Sequence, residues 1–261
     1  MKSIKPTPEQ KKAIYYAKRI IGELEKKDGN EAETRQRVER VFERVLGYDP
    51  LYHLSQEYAI HTTGEAVHAD FAVITEKGPD AQPRMIVELK RIGVGLVSKH
   101  IRQATSYAID IGCEWILVTN GKEWKLYHIE FGQPPKTELL ESWNLLEDNI
   151  NELFSKFSMI EYRAVKKGGL VTIWNHIKAL GALPLLSSIL ADDTLRLIRR
   201  HLHKDTGIRV DAGEIYDGLS KLLNDASLKA MCNVSRPKPK MKKTAPKKEI
   251  AENKPPDPVV E

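Results

Sequence analysis

Apolar positions along this chain change their period several times, and the changes mark the elements. Within residues 8–27, Ile14, Ala17, Ile20, Ile21 and Leu24 recur at helical spacing, and Asp28-Gly29-Asn30 stops the run. A second helix is expected over about 31–46, ended by Gly47, with Val38, Val41, Phe42, Val45 and Leu46 as its apolar stripe. At about 100° per residue, Glu31 falls inside that stripe and Glu33 roughly opposite, so Glu31 is expected to point toward the core side and Glu33 toward solvent. The other reading is that Glu31 merely favours the positive end of the helix.

The period then shortens. Strands are expected at about 54–61, 68–74 and 84–90, with turns at Thr62-Thr63-Gly64-Glu65 and across residues 75–83. Gly93 and Gly95 loosen the chain before a helix over about 96–111. Its apolar side is Val97, Ile101, Ala104, Ala108 and Ile111, while Gln103 and Tyr107, four apart, share the rim of that side. A strand over 114–119, an Asn120-Gly121 turn and a strand over 123–129 read as a hairpin, and Gln133-Pro134-Pro135 closes the body. This order predicts an α/β fold, a mixed central sheet flanked by helices. Helical patterns fill about 145–157, 170–180, 183–191, 193–203 and 212–223. The expected division is 1–135 for the sheet domain with its N-terminal helix, 136–234 for a helical region, and 235–261 for a disordered Lys/Pro-rich tail.

Composition narrows the class. The chain is 41% hydrophobic and 30% charged, ordinary for a soluble globular protein. No apolar run approaches the length of a membrane span, and the first ten residues have no apolar core. Cys113 and Cys232 lie far apart without metal-type spacing and read as reduced thiols, so a cytoplasmic location away from membranes is expected. The net charge is +5, but the tail from Ser235 holds 8 basic and 4 acidic residues, which leaves the rest of the chain at +1. Overall basicity therefore does not argue for a nucleic-acid partner. His201 and His203, two apart on a helix, point away from each other and read as surface residues.

The candidate chemistry lies between His68 and Lys90. Along the strand M-I-V-E-L-K, alternation puts Ile86, Glu88 and Lys90 on one face and Met85, Val87 and Leu89 on the other. Pairing with the preceding strand would bring Asp70 beside Glu88. Two carboxylates and an ammonium at a sheet edge suit a hard divalent cation and phosphate chemistry. The Glu-x-Lys triplet alone is uninformative, since it occurs five times, at Glu9, Glu25, Glu88, Glu123 and Glu252. Only Glu88 sits inside an apolar strand that follows an acidic one. A structural ion-pair group is the other reading, because acids in core strands are costly unless paired or bound to metal.

The ordered set Glu31, Asp70, Glu88-Leu89-Lys90 and Gln103-x-x-x-Tyr107 resembles the PD-(D/E)XK nuclease superfamily. The phrases E-A-E-T-R-Q-R-V, V-L-G-Y-D, A-D-F-A-V, I-V-E-L-K, Q-A-T-S-Y-A and I-L-V-T-N-G-K-E-W-K-L-Y are similar to the N-terminal nuclease domain of type I restriction enzyme R subunits and its short stand-alone relatives. The usual Pro-Asp is Ala69-Asp70 here, and no G-x-x-x-x-G-K-[ST] phosphate loop occurs, so the helicase motor of such subunits is absent from this chain. The resemblance implies a restriction-endonuclease-like fold. It implies Mg²⁺-dependent hydrolysis of DNA phosphodiesters, with Mn²⁺ as a substitute, in restriction or phage defence. Asp70, Glu88 and the Leu89 carbonyl would hold the metal, Lys90 would orient water or offset charge, and Glu31 would complete the acidic cluster. Gln103 would position the DNA backbone or the nucleophile, with Tyr107 supporting it. The alternative is a catalytically silent module that keeps the fold and binds nucleic acid or a protein. A protein partner would reach the helical C-terminal region.

Overall fold

Threonine and asparagine at helix entries set the N-terminal half of the structure, a computed structural model that describes residues 5–60, 67–76, 78, 81–223, 229 and 232. Thr7 caps α1 (Pro8–Lys26) and Asn30 caps α2 (Glu31–Arg44), each in a reciprocal exchange with the residue three further on, Gln10 and Glu33. A short helix, α3 (Pro50–His53), leads into the sheet. The strands are β1 (Leu54–Ile60), β2 (Val67–Val73), β3 (Met85–Leu89), β4 (Trp115–Thr119), β5 (Glu123–Glu130) and β6 (Lys136–Asn144). They lie in the order β1-β2-β3-β4-β5-β6. All neighbours are antiparallel except β3 and β4, which run parallel and are joined by α4 (Ser98–Asp110). A parallel pair requires such a crossover.

The sheet carries a core on each face. On one side Met85, Val87 and Leu89 meet Phe42, Tyr48, Phe71, Trp124, Trp143 and Phe157, under α1, α2 and α5 (Ile150–Ile160). On the other, Ile86, Ala72, Ile116 and Val118 lie beneath α4, whose Ala104 and Ala108 let the helix approach closely. β3 and β4 are buried along their whole length, as central parallel strands are. The expected mixed sheet flanked by helices is therefore the observed fold.

Two expectations need correction. The body does not close at Gln133-Pro134-Pro135, because β6 follows and pairs with β5. The division expected after residue 135 would separate those partners, and the first compact unit runs instead to Ile177, taking in α5, α6 (Tyr162–Lys166) and most of α7 (Gly169–Ala179). β6 escaped notice because it is a largely exposed edge strand in which Glu138, Glu141 and Lys136 replace an apolar alternation. In the second unit, from Lys178 onward, α8 (Ala182–Ile189), α9 (Asp192–Thr206) and α10 (Ala212–Ser220) gather around Leu186, Leu190, Leu195 and Ile215. His201 and His203 are exposed, as expected. The turn at 62–65 and the tail from Ser235 lie outside the described residues. Among those described, no helix is long and apolar enough to cross a membrane.

One buried hydroxyl fixes where β3 ends. Thr34 of α2 is fully buried; its Oγ1 donates to the Asn30 carbonyl at 2.8 Å and accepts from the Ile92 amide at 3.2 Å. Arg91 adds bonds to the Asp28 and Gly29 carbonyls. The segment leaving β3 is thereby tied to the entry of α2. Thr34→Val keeps the shape but strands the Ile92 amide, and a loss of about 1–3 kcal/mol is expected in urea unfolding. Unchanged stability would show that the tie carries no weight.

Candidate active site

The register of β2 and β3 sets the acids. Phe71 pairs with Val87 and Ala72 with Ile86, so one more step of the same register places Asp70 across from Glu88. Asp70 completes that step with its side chain, since Oδ2 accepts from the Leu89 amide at 2.8 Å. Glu88 is 1% exposed. Lys90 Nζ donates to Glu88 Oε1 at 2.6 Å. The shared face of Ile86, Glu88 and Lys90 is thus observed, and its polar end meets Asp70.

Electrostatics ties the group together. Burial pushes the Glu88 carboxyl up to about 7, against the bond and charge of Lys90 and with help from the negative charges of Asp70 and Glu31. Burial works against the Lys90 ammonium, but the Glu88 bond and the charges of Glu88, Glu31 and Asp70 outweigh it and raise its pKa. Lys90 stays cationic. Glu31 acts on both groups, and on Arg35, so the first turn of α2 lies within electrostatic reach of them. Its orientation differs from expectation. Glu31 is exposed and does not enter the core, whereas Glu33 is half-buried and committed to the cap, accepting from the Asn30 amide at 3.0 Å and from Lys27 at 2.6 Å. The buried face of α2 begins at Thr34, so Glu31 in the turn before it stays in solvent.

Gln103 and Tyr107 of α4 engage each other, Gln103 Nε2 donating to the Tyr107 hydroxyl at 2.9 Å. One turn earlier, His100 has its pKa lowered by burial and by Lys90, with Glu31 opposing, so the start of α4 lies within electrostatic reach of that pair.

Two participants were missed. Arg35, four residues after Glu31, donates from Nη2 to Asp70 Oδ1 at 2.5 Å and from Nη1 to Glu57 Oε1 at 3.2 Å. Burial opposes its charge, but Asp70, Glu57 and Glu31 raise its pKa. The helical spacing that drew attention to Glu31 also covers Arg35. Glu57 gave no signal. It lies in β1 opposite Asp70, where the ladder runs from Gln56–Phe71 to Tyr58–Ala69, and its φ is 47°. A left-handed glutamate inside a strand costs on the order of 1–3 kcal/mol. Arg35, Glu57, His68, Ala69 and Asp70 line a recess of about 320 Å³.

The donor set suits a hard divalent cation, although among the described residues no three His, Cys, Asp or Glu side chains cluster tightly enough to hold a metal by themselves. Asp70 and Glu88 stand across one strand pair, and each carboxylate is met by a basic side chain, Arg35 and Lys90. Two acids held this close call for positive charge between them.

Residues 30–142 match the family described as Type I restriction enzyme R protein N terminus (HSDR_N). The resemblance carried by the motifs is borne out over that span, which holds Glu31, Asp70, Glu88, Lys90, Gln103 and Tyr107. The chain is related to restriction systems through this stretch. No curated protein and no solved structure matches it.

In cation-free protein the Glu88 side-chain carboxyl, followed by ¹³C NMR, is expected to titrate at about 7. Below its ordinary value of 4.5 the group is protonated both folded and unfolded, so its contribution to stability falls as pH rises from there toward 7. A midpoint near 4.5 would contradict the burial argument.

Proposed function

We propose that this chain is a Mg²⁺-dependent deoxyribonuclease of restriction type that hydrolyses phosphodiester bonds as an endonuclease. The observation that supports the reading best is the placement of Asp70 across from buried Glu88 with Lys90 on the same strand face. Asp70, Glu88 and the Leu89 carbonyl would hold the divalent cation, Mg²⁺ or Mn²⁺ in its place, because hard cations take oxygen ligands. Such a cation supplies Lewis acidity toward the phosphate and makes water a better nucleophile at neutral pH.

The rest falls to the chain. Lys90, cationic and 2.6 Å from Glu88, would orient the attacking water and offset charge that builds on the phosphate. Glu31 would add negative charge at the mouth of the site. Gln103, steadied by Tyr107, would place the DNA backbone beside the acids. DNA is the partner this chemistry calls for; a protein partner would meet the helical C-terminal region.

Supercoiled plasmid tests the reading. With Mg²⁺ the wild type should cut, chelation should stop it, and Asp70→Ala and Lys90→Ala should each lower the rate by about 10²-fold or more. If the wild type never cuts, or the variants cut equally well, the enzymatic reading fails. Salt-dependent DNA binding without cutting would then favour a silent binding module.

A further inference from the structure

We infer that Arg35 is a positioning residue of this same site, which holds Asp70 in place until a divalent cation displaces it, and that Glu57 is the acid that receives it. The inference rests on the nuclease reading and adds to it two residues and an order of events.

Three observations carry it. The guanidinium of Arg35 is bonded to Asp70 Oδ1 at 2.5 Å, so a positive charge already sits against an oxygen that a cation at this site would take. Asp70 Oδ2 accepts from the Leu89 amide, so both oxygens carry a bond, and a cation at Oδ1 would stand against the Arg35 charge and be disfavoured until Arg35 withdraws. Arg35 has somewhere to go. Glu57 Oε1 already accepts from Nη1 at the longer distance of 3.2 Å, and the Glu57 side chain is 71% exposed against 11% for Asp70. Arg35 can therefore swing toward the open side of the recess without losing its countercharge.

Glu57 also stands where an ordinary strand residue would not. Its left-handed backbone breaks the pairing of β1 and β2 at the position opposite Asp70. Strain of this kind persists where the surroundings hold it, and it clusters at functional sites. Here the bond from Arg35 holds the Glu57 side chain. The forked guanidinium suits the task, since it can grip two carboxylates at once and exchange one for another ligand.

The arrangement makes opposite predictions for two neighbouring substitutions. Mn²⁺ binding to the full chain, without DNA, can be followed by calorimetry and by electron paramagnetic resonance. Arg35→Met should tighten binding by about tenfold, the size of one charge-assisted hydrogen bond. Glu57→Gln removes the receiving acid, leaves Arg35 on Asp70, and should weaken binding by about threefold. In the Arg35→Met background, Glu57→Gln should do nothing further. That last result separates displacement from a simple change of local charge, for which Glu57→Gln would weaken binding equally in both backgrounds.

Arg35→Gln carries the same expectations as Arg35→Met if the latter fails to fold, as checked by thermal unfolding in chelator. Tightening, weakening and silence in that order support the inference. Any other pattern, in a protein whose Mn²⁺ binding is lost in Asp70→Asn, overturns it and leaves the nuclease reading standing. A wild type with no Asp70-dependent Mn²⁺ binding overturns both.

Discussion

Two carboxylates brought together at the end of a buried strand pair are the constraint on which the site depends. Asp70 faces Glu88 because β2 and β3 share one register, and that register is locked by apolar side chains on both faces of the sheet. A slip by one residue would turn Glu88 into the core around Phe42 and Trp124. Repulsion between the acids is offset by Lys90 from the same strand and Arg35 from α2. The hydrophobic cores thus fix the geometry, and the basic residues make it tolerable without a metal.

The helix α2 connects fold to site more directly than its length suggests. Its buried Thr34 ties down the chain leaving β3, its first turn sets Glu31 near Lys90, and its next turn delivers Arg35 to Asp70. On α4, His100 feels the charges of Lys90 and Glu31, and Gln103 is bonded to Tyr107. The bonded contacts at the acids come from α2, β1, β2 and β3, at one end of the sheet.

Much of this was legible in the sequence, for a physical reason. Alternation in M-I-V-E-L-K assigns Glu88 and Lys90 to one face without any knowledge of neighbours, and a buried strand with an acid in it is conspicuous. The motif order then matched a family model over residues 30–142. What escaped depended on context. Arg35 lies on the same helix face as Glu31, but nothing local shows that its partner is on β2. Glu57 reads as a plain strand residue, since a left-handed glutamate has no sequence signature. The polar edge strand β6 lacks the apolar rhythm by which strands are recognised. The orientation of Glu31 failed because periodicity describes a helix face, not how far the sheet extends beneath its first turn.

Asp70 and Glu88 are proposed to converge on one cation. Crystals of the protein grown with Mn²⁺, with data collected at the manganese edge, test it directly. The expected result is one anomalous peak at about 2.0–2.3 Å from an oxygen of each of the two carboxylates, with Arg35 withdrawn from Asp70. A peak bound elsewhere, or an empty site with the Arg35–Asp70 and Lys90–Glu88 pairs intact at saturating Mn²⁺, would contradict it.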